Sequence, residues 1–143
     1  MATEVRRIIF THGESGAAIR AYGTKEGLKF PEGSLIRARF AGSSEYEFHS
    51  MKTRRAPIQS TYNILDTSRA VTLTFFDETT LEQKYFNVTS NFISIALIEY
   101  CIANKIMMPK AAQKILDITD FNICIDISSE TSTKESGSLT LEE

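Results

Sequence analysis

The chain has no tryptophan, only two cysteines and two histidines, and just three prolines and seven glycines in 143 residues. Each scarcity closes off a class. So little glycine and proline excludes a collagen-like or linker-like polymer. Two cysteines, Cys101 and Cys124, both set in apolar segments, do not make a disulfide framework and fit a reducing compartment. His12 and His49 are far apart, and no Cys or His pair has metal-ligand spacing, so neither a metal nor a cofactor is expected. No nucleophile-elbow pattern surrounds any serine, and Asp77 and Glu78 read as hairpin residues, so no catalytic residue is assigned and an enzyme is not expected. The apolar run from Ile93 to Met108 is broken by Glu99, Asn104 and Lys105. A membrane span needs about 18 apolar residues in a row, so none is expected. The polar start, Met1 to Arg7, lacks the apolar stretch of a signal peptide, and the expected setting is cytoplasmic.

What is present suits an ordinary folded domain: 42% apolar residues, 24% charged and a net charge of −2. The charge is unevenly spread. Residues 128–143 hold four acids and one base and only Leu139 and Leu141 as sizeable apolar groups, so the reading is one domain over 1–127 and a disordered acidic tail over 128–143. The body is left close to neutral, which alone does not predict nucleic-acid binding.

Ile8-Ile9-Phe10 reads as a short strand. Thr11 with Glu14 three residues on forms a capping-box pattern that opens a helix over about 12–25, with Ala18, Ile19 and Tyr22 as its apolar face and Gly27 as its stop. Leu35 to Phe40 alternates, Ile36, Ala38 and Phe40 opposite Arg37 and Arg39, and Glu45 to Met51 alternates after it, so a hairpin joins them through Ala41 to Ser44. Val71 to Phe76 and Leu81 to Val88 form a second hairpin about Asp77 to Thr80; a helix over about 90–105 follows, and Phe121 to Ile127 makes the last strand. A shift of 78 positions lays the first segment on the later one without a gap: Thr11 meets Thr89, Ala18 meets Ala96, Tyr22 meets Tyr100 and Pro31 meets Pro109. The order β-α-β-β-β-β-α-β, with pseudo-repeat β-α-β halves, predicts an α+β two-layer sandwich, an antiparallel-rich sheet of about six strands carrying two helices on one face.

The second helix is apolar nearly all round. Ile98 stands where the first helix has Arg20, and Ile102 where it has Thr24. Such a helix is buried on more than one side, either inside its own chain or against another. Ile95, Ile98 and Ile102 are therefore the candidate interface, isologous in a homodimer.

Two short patterns suggest ligands. Gly13-Glu14-Ser15-Gly16 has the GxxG spacing of a KH loop, but too little chain precedes it for the strand and helix that fold requires, and Glu14 would face phosphate; a helix N-terminus accounts for it. Lys52, Arg54 and Arg55, with Arg69 at the far end of a long loop, form a basic cluster suited to phosphate. Arg54-Arg55 followed by Asp66 and Ser68 resembles the PilZ pattern for cyclic dinucleotides, with Gln59 where its last arginine belongs and Val71 where its glycine belongs. Ala96-Leu97-Ile98-Glu99-Tyr100-Cys101-Ile102, with Ile106 and Pro109 to Ala112, resembles a segment of small uncharacterised bacterial proteins of the proteobacterial type. That resemblance covers the two repeat segments; it implies the fold and a bacterial cytoplasmic setting and brings no activity. The expected role is a non-catalytic protein-interaction or regulatory module that self-associates. The competing reading is a nucleotide or nucleic-acid module using the loop from Lys52 to Arg69.

Overall fold

A computed structural model describes residues 2–41 and 62–131 of the chain. Along it run β1 (Ala2–Phe10), α1 (His12–Lys25), β2 (Ser34–Phe40), β3 (Ala70–Asp77), β4 (Glu82–Thr89), α2 (Ser90–Ala103), β5 (Gln113–Ile118) and β6 (Ile123–Thr131). The class is α+β, and all pairing between these strands is antiparallel. The six strands are divided between two sheets, β1-β6-β5 and β2-β3-β4, instead of forming one.

The local reasons are visible in the caps. Thr11 Oγ1 accepts from the Glu14 N–H at 3.1 Å and Glu14 Oε1 accepts from the Thr11 N–H at 3.0 Å, a complete capping box. Thr89, 78 positions later, caps α2 by accepting from the Phe92 N–H at 3.2 Å. Both helices span 14 residues and end alike. Gly27 and Lys105 both take positive φ, at 80° and 59°, and the N–H groups of Leu28 and Ile106 reach back to the carbonyls of Gly23 and Cys101, each at 2.8 Å. This is a Schellman closure in both halves. The repeat thus holds from N-cap to C-cap.

It also holds in topology. Under the 78-residue shift β1 falls on β4, α1 on α2 and β2 on β5, and the next strand of each half, β3 or β6, occupies the centre of a sheet. Each half gives its first strand to the other half's sheet: β1 pairs with β6, and β4 with β3. The two helices pack side by side, with Tyr22 against Phe92 at 4.9 Å between ring centroids. Volumes are traded between halves. Gly23 leaves room for the Phe30 ring, which a Cβ there would strike, whereas the equivalent pair is Cys101 and Met108. Phe30 then packs on Phe75, Phe86 and Phe92. Gly33 is required twice over, by φ of 110° and because a Cβ would meet the Phe76 carbonyl.

Several expectations need correction. β1 begins at Ala2, its polar first half paired with residues 127–131 of β6. Consequently residues 128–131 belong to a strand and the domain extends past 127; residues 132–143 lie outside the described residues. The strand expected over Glu45 to Met51 also lies outside them. β5 carries no clear alternation in the sequence, because Lys114 occupies an inward position that calls for an apolar group. In β2 a register shift between Leu35 and Arg37 turns Leu35 into the core and leaves Ile36 outside. Leu81 is in the β3–β4 turn at φ 60°, its N–H bonded to the Asp77 carbonyl, and β4 starts at Glu82.

Replacing Thr11 or Thr89 by alanine is expected to cost about 1 kcal/mol each. The larger loss should fall on Thr11, whose box is reciprocal. Urea denaturation of the two single variants measures both.

Candidate functional site

The sequence-predicted residues separate. Lys52, Arg54, Arg55 and His49 lie outside the described residues. Arg69 is exposed, with its guanidinium carbon 3.5 Å from the centre of the Phe40 ring and Nη1 3.9 Å from Asp66. Ile95 and Ile98 are buried by their own chain, so the internal alternative holds for them; Ile102 is 57% exposed. The Arg20 position is not solvated either: Nη2 donates to the carbonyls of Pro31 and Gly33 at 2.7 Å, and the guanidinium lies over Phe75. The partial burial of Arg20 explains how its partner in the repeat can be the buried Ile98. The GxxG segment is a packing feature. Ser15 and Gly16 are buried, and a Cβ at Gly16 would press on Leu35 at 3.3 Å.

Two buried polar side chains, Lys114 and Ser90, tie separate segments together, whereas Ser15 Oγ, Asn91 Oδ1 and Ser94 Oγ are buried without a hydrogen-bond partner among the described residues. Lys114 is buried, and its Nζ donates to the carbonyls of Tyr62, Ala112 and Lys110 at 2.7, 2.8 and 3.1 Å. Burial pulls its pKa down, and the three carbonyls supply the solvation that water would otherwise give. With the Ile64–Lys114 bridge, this ties the segment preceding β3 to β5. Ser90 secures the other end of that segment: its Oγ donates to the Asp66 carbonyl at 2.6 Å and accepts from the Arg69 N–H at 3.2 Å. Both thiols are free and buried, and burial pushes both up, away from the reactive thiolate. Among the described residues no cluster of His, Cys, Asp or Glu is placed to hold a metal, and no helix is long and apolar enough to cross a membrane.

The outer face of β1-β6-β5 carries one arginine between two aspartates. Arg7 donates to Asp126 at 2.7 and 2.9 Å and to Asp117 at 2.7 Å, which holds its guanidinium firmly charged. Between the helices lies a groove of about 210 Å³ lined by Ala18, Ala21, Tyr22 and Lys25 and by Ala96, Glu99, Tyr100 and Ala103. These are four pairs related by the 78-residue shift, so the groove sits on the axis that relates the halves. One of the two symmetric cross-pairs is the Lys25–Glu99 salt bridge at 2.8 Å, and the other is Ala103 with Ala21.

The sharpest departure from symmetry is on the surface. Val5 and Ile9 of the edge strand β1 are 67% and 57% exposed, and Met107, beyond α2, is 79% exposed. The Arg6 guanidinium donates to the Met107 carbonyl at 2.6 Å, so Met107 adjoins the same strand, with Ile102 one turn before it. Their equivalents in the other half are Gln83, Asn87, Lys29 and Thr24. The same four places of the same fold are polar at one end and apolar at the other. Sequence reasoning finds only Ile102; carrying the repeat residue by residue through β1 and β4 would expose the other three. Comparison with protein-family models, with curated proteins and with solved structures returns no match.

Two outcomes are expected here. Lys114→Met leaves three carbonyls without their donor and should lower stability by about 1–3 kcal/mol in urea denaturation. His12 has its pKa lowered by burial from 6.5, so the unfolded chain takes up its proton first as pH falls. Its contribution is complete above about 6.5 and is lost below that. Between pH 7 and pH 5 the melting temperature should therefore fall further for the parent than for His12→Asn.

Proposed function

We propose that the protein is a non-catalytic interaction module that self-associates through the apolar end formed by β1 and the turn after α2. The observation that carries this reading is the internal control just described. Gln83, Asn87, Lys29 and Thr24 satisfy the fold at one end, so Val5, Ile9, Met107 and Ile102 are not demanded by it at the other. Exposed apolar groups around a strand edge are a liability for a chain that stays alone. A second copy is the occupant that the charges favour. Antiparallel pairing of two β1 strands about Val5 sets Glu4 of one opposite Arg6 of the other, on both sides of the axis. Such pairing is isologous and extends each three-stranded sheet into one of double width.

The test grafts the polar end onto the apolar one. Size-exclusion chromatography with light scattering should give twice the 16.1 kDa chain mass for the parent and the single mass for a chain carrying Val5→Gln, Ile9→Asn, Ile102→Thr and Met107→Lys. The melting temperature of the monomer's own core, read at low concentration, should be unchanged. Glu4→Arg alone should weaken the dimer, and adding Arg6→Glu should restore it. A parent that stays monomeric at high micromolar concentration, or a quadruple variant that stays dimeric, would overturn the reading.

A further inference from the structure

The described residues include six arginines, and four have partners inside the molecule: Arg6 with the Met107 carbonyl, Arg7 with Asp126 and Asp117, Arg20 with two carbonyls and Phe75, and Arg69 with Phe40 and Asp66. Arg37 and Arg39 have none among the described residues. Both are exposed on the outer face of β2, opposite Thr74 and Thr72 of β3. Two residues apart on a strand, they stand about 7 Å from each other. That spacing lets both grip one phosphate or each take one of two neighbours.

They line a cleft of about 630 Å³ between β2 and the β5–β6 turn. Its far wall is Thr119, Asp120 and Phe121. Phe121 is 78% exposed, the most exposed aromatic ring among the described residues. It stands on a closed turn. The turn is closed by the Thr119 N–H donating to the Asn122 carbonyl at 2.9 Å and by the Asn122 N–H donating to Thr119 Oγ1 at 3.0 Å. The cleft is open to solvent, and its chemistry is specific: two guanidinium forks without a partner among the described residues, and an exposed aromatic ring on the opposite wall. Asp120, the one carboxylate among these residues, excludes a purely anionic ligand from the far wall while offering an acceptor to a base amino group.

We propose that this cleft binds a nucleotide unit, with its phosphate on Arg37 and Arg39 and its base stacked on Phe121. The unit is either a free mononucleotide or a stretch of single strand, since both present the same phosphate and the same flat base. A duplex does not fit, because its bases are already stacked on one another.

Fluorescence anisotropy with the full chain decides, using three probes: a fluorescein-labelled oligothymidylate, the same strand annealed to its complement, and a fluorescent analogue of adenosine monophosphate. Binding of the single strand is expected to weaken at least tenfold in Arg37→Ala/Arg39→Ala. Its log–log salt slope should fall by about 1.4, the loss of two phosphate contacts. Phe121→Ala should weaken binding about fivefold or more without changing the slope, since stacking carries no charge. Arg37→Lys/Arg39→Lys, which keeps the charge and strand, should recover most of the slope. If the mononucleotide alone binds with the same dependence on these residues, the cleft is a free-nucleotide site. If the strand alone does, it is a single-strand site. Absence of binding to both, binding that survives the arginine substitutions, or preference for the duplex would overturn the proposal. Arg37→Lys/Arg39→Lys, if folded by circular dichroism and still without effect on a tight complex, would do the same for any role of the guanidinium fork.

Discussion

The exchange of first strands between the two halves is the constraint on which everything else rests. β1 belongs by sequence to the first half and by hydrogen bonding to the second, and β4 is the converse. Each helix therefore carries the chain from one sheet to the other, and one buried core joins both sheets and both helices in a single body. A half cannot complete its own three-stranded sheet, so neither half has a core to fold around by itself. Ala18 and Ala96, equivalent under the 78-residue shift, both line the groove between the helices.

Joining the two halves in one chain releases them from identity, and the differences between equivalent positions are informative. Some are compensations in packing, such as Gly23 with Phe30 against Cys101 with Met108. Some replace an ion pair by small residues, as Lys25–Glu99 is answered by Ala103 and Ala21. The changes at β1 and after α2 compensate for nothing within the chain. Among the described residues the same is true of Arg37 and Arg39, whose equivalents on β5 are Ile115 and Asp117, the latter bound to Arg7. Both proposals rest on this distinction between asymmetry that the core explains and asymmetry that it does not.

The helices are legible in the sequence because their signals are local. Thr11 with Glu14, Thr89, and the turns at Gly27 and Lys105 lie within a few residues of what they control. The α+β class and the repeat follow from them. The strands that escape do so because tertiary structure overrides pattern. Lys114 is buried only because the distant Tyr62 carbonyl joins the nearby Lys110 and Ala112 carbonyls around it, and Glu4, Arg6 and Arg7 form a strand because β6 runs alongside. Extending the 78-residue shift from Ser34–Phe40 would mark β5 at 112–118. The division into two sheets is a property of strand exchange, which periodicity does not encode. For the candidate sites, Ile102 is legible, whereas Ile95 and Ile98 cannot be told from interface residues without knowing what faces them. Phe121 and the cleft come together from strands far apart in the chain, with no shared motif.

The pairing of Ala2 with Thr131 has a mechanical meaning. The first and last described strands run antiparallel and side by side, so a load applied to these two residues would pull across the strands, along their hydrogen bonds one pair at a time, and not along the strands. The bonds would break in succession, pair after pair, as a zip opens, at a force far below that needed to slide the strands past each other. Tension would thus remove β1 first, and with it the edge on which self-association is proposed to depend, while β2-β3-β4, which shares no strand pairing with β1 or β6, lies outside the loaded pair.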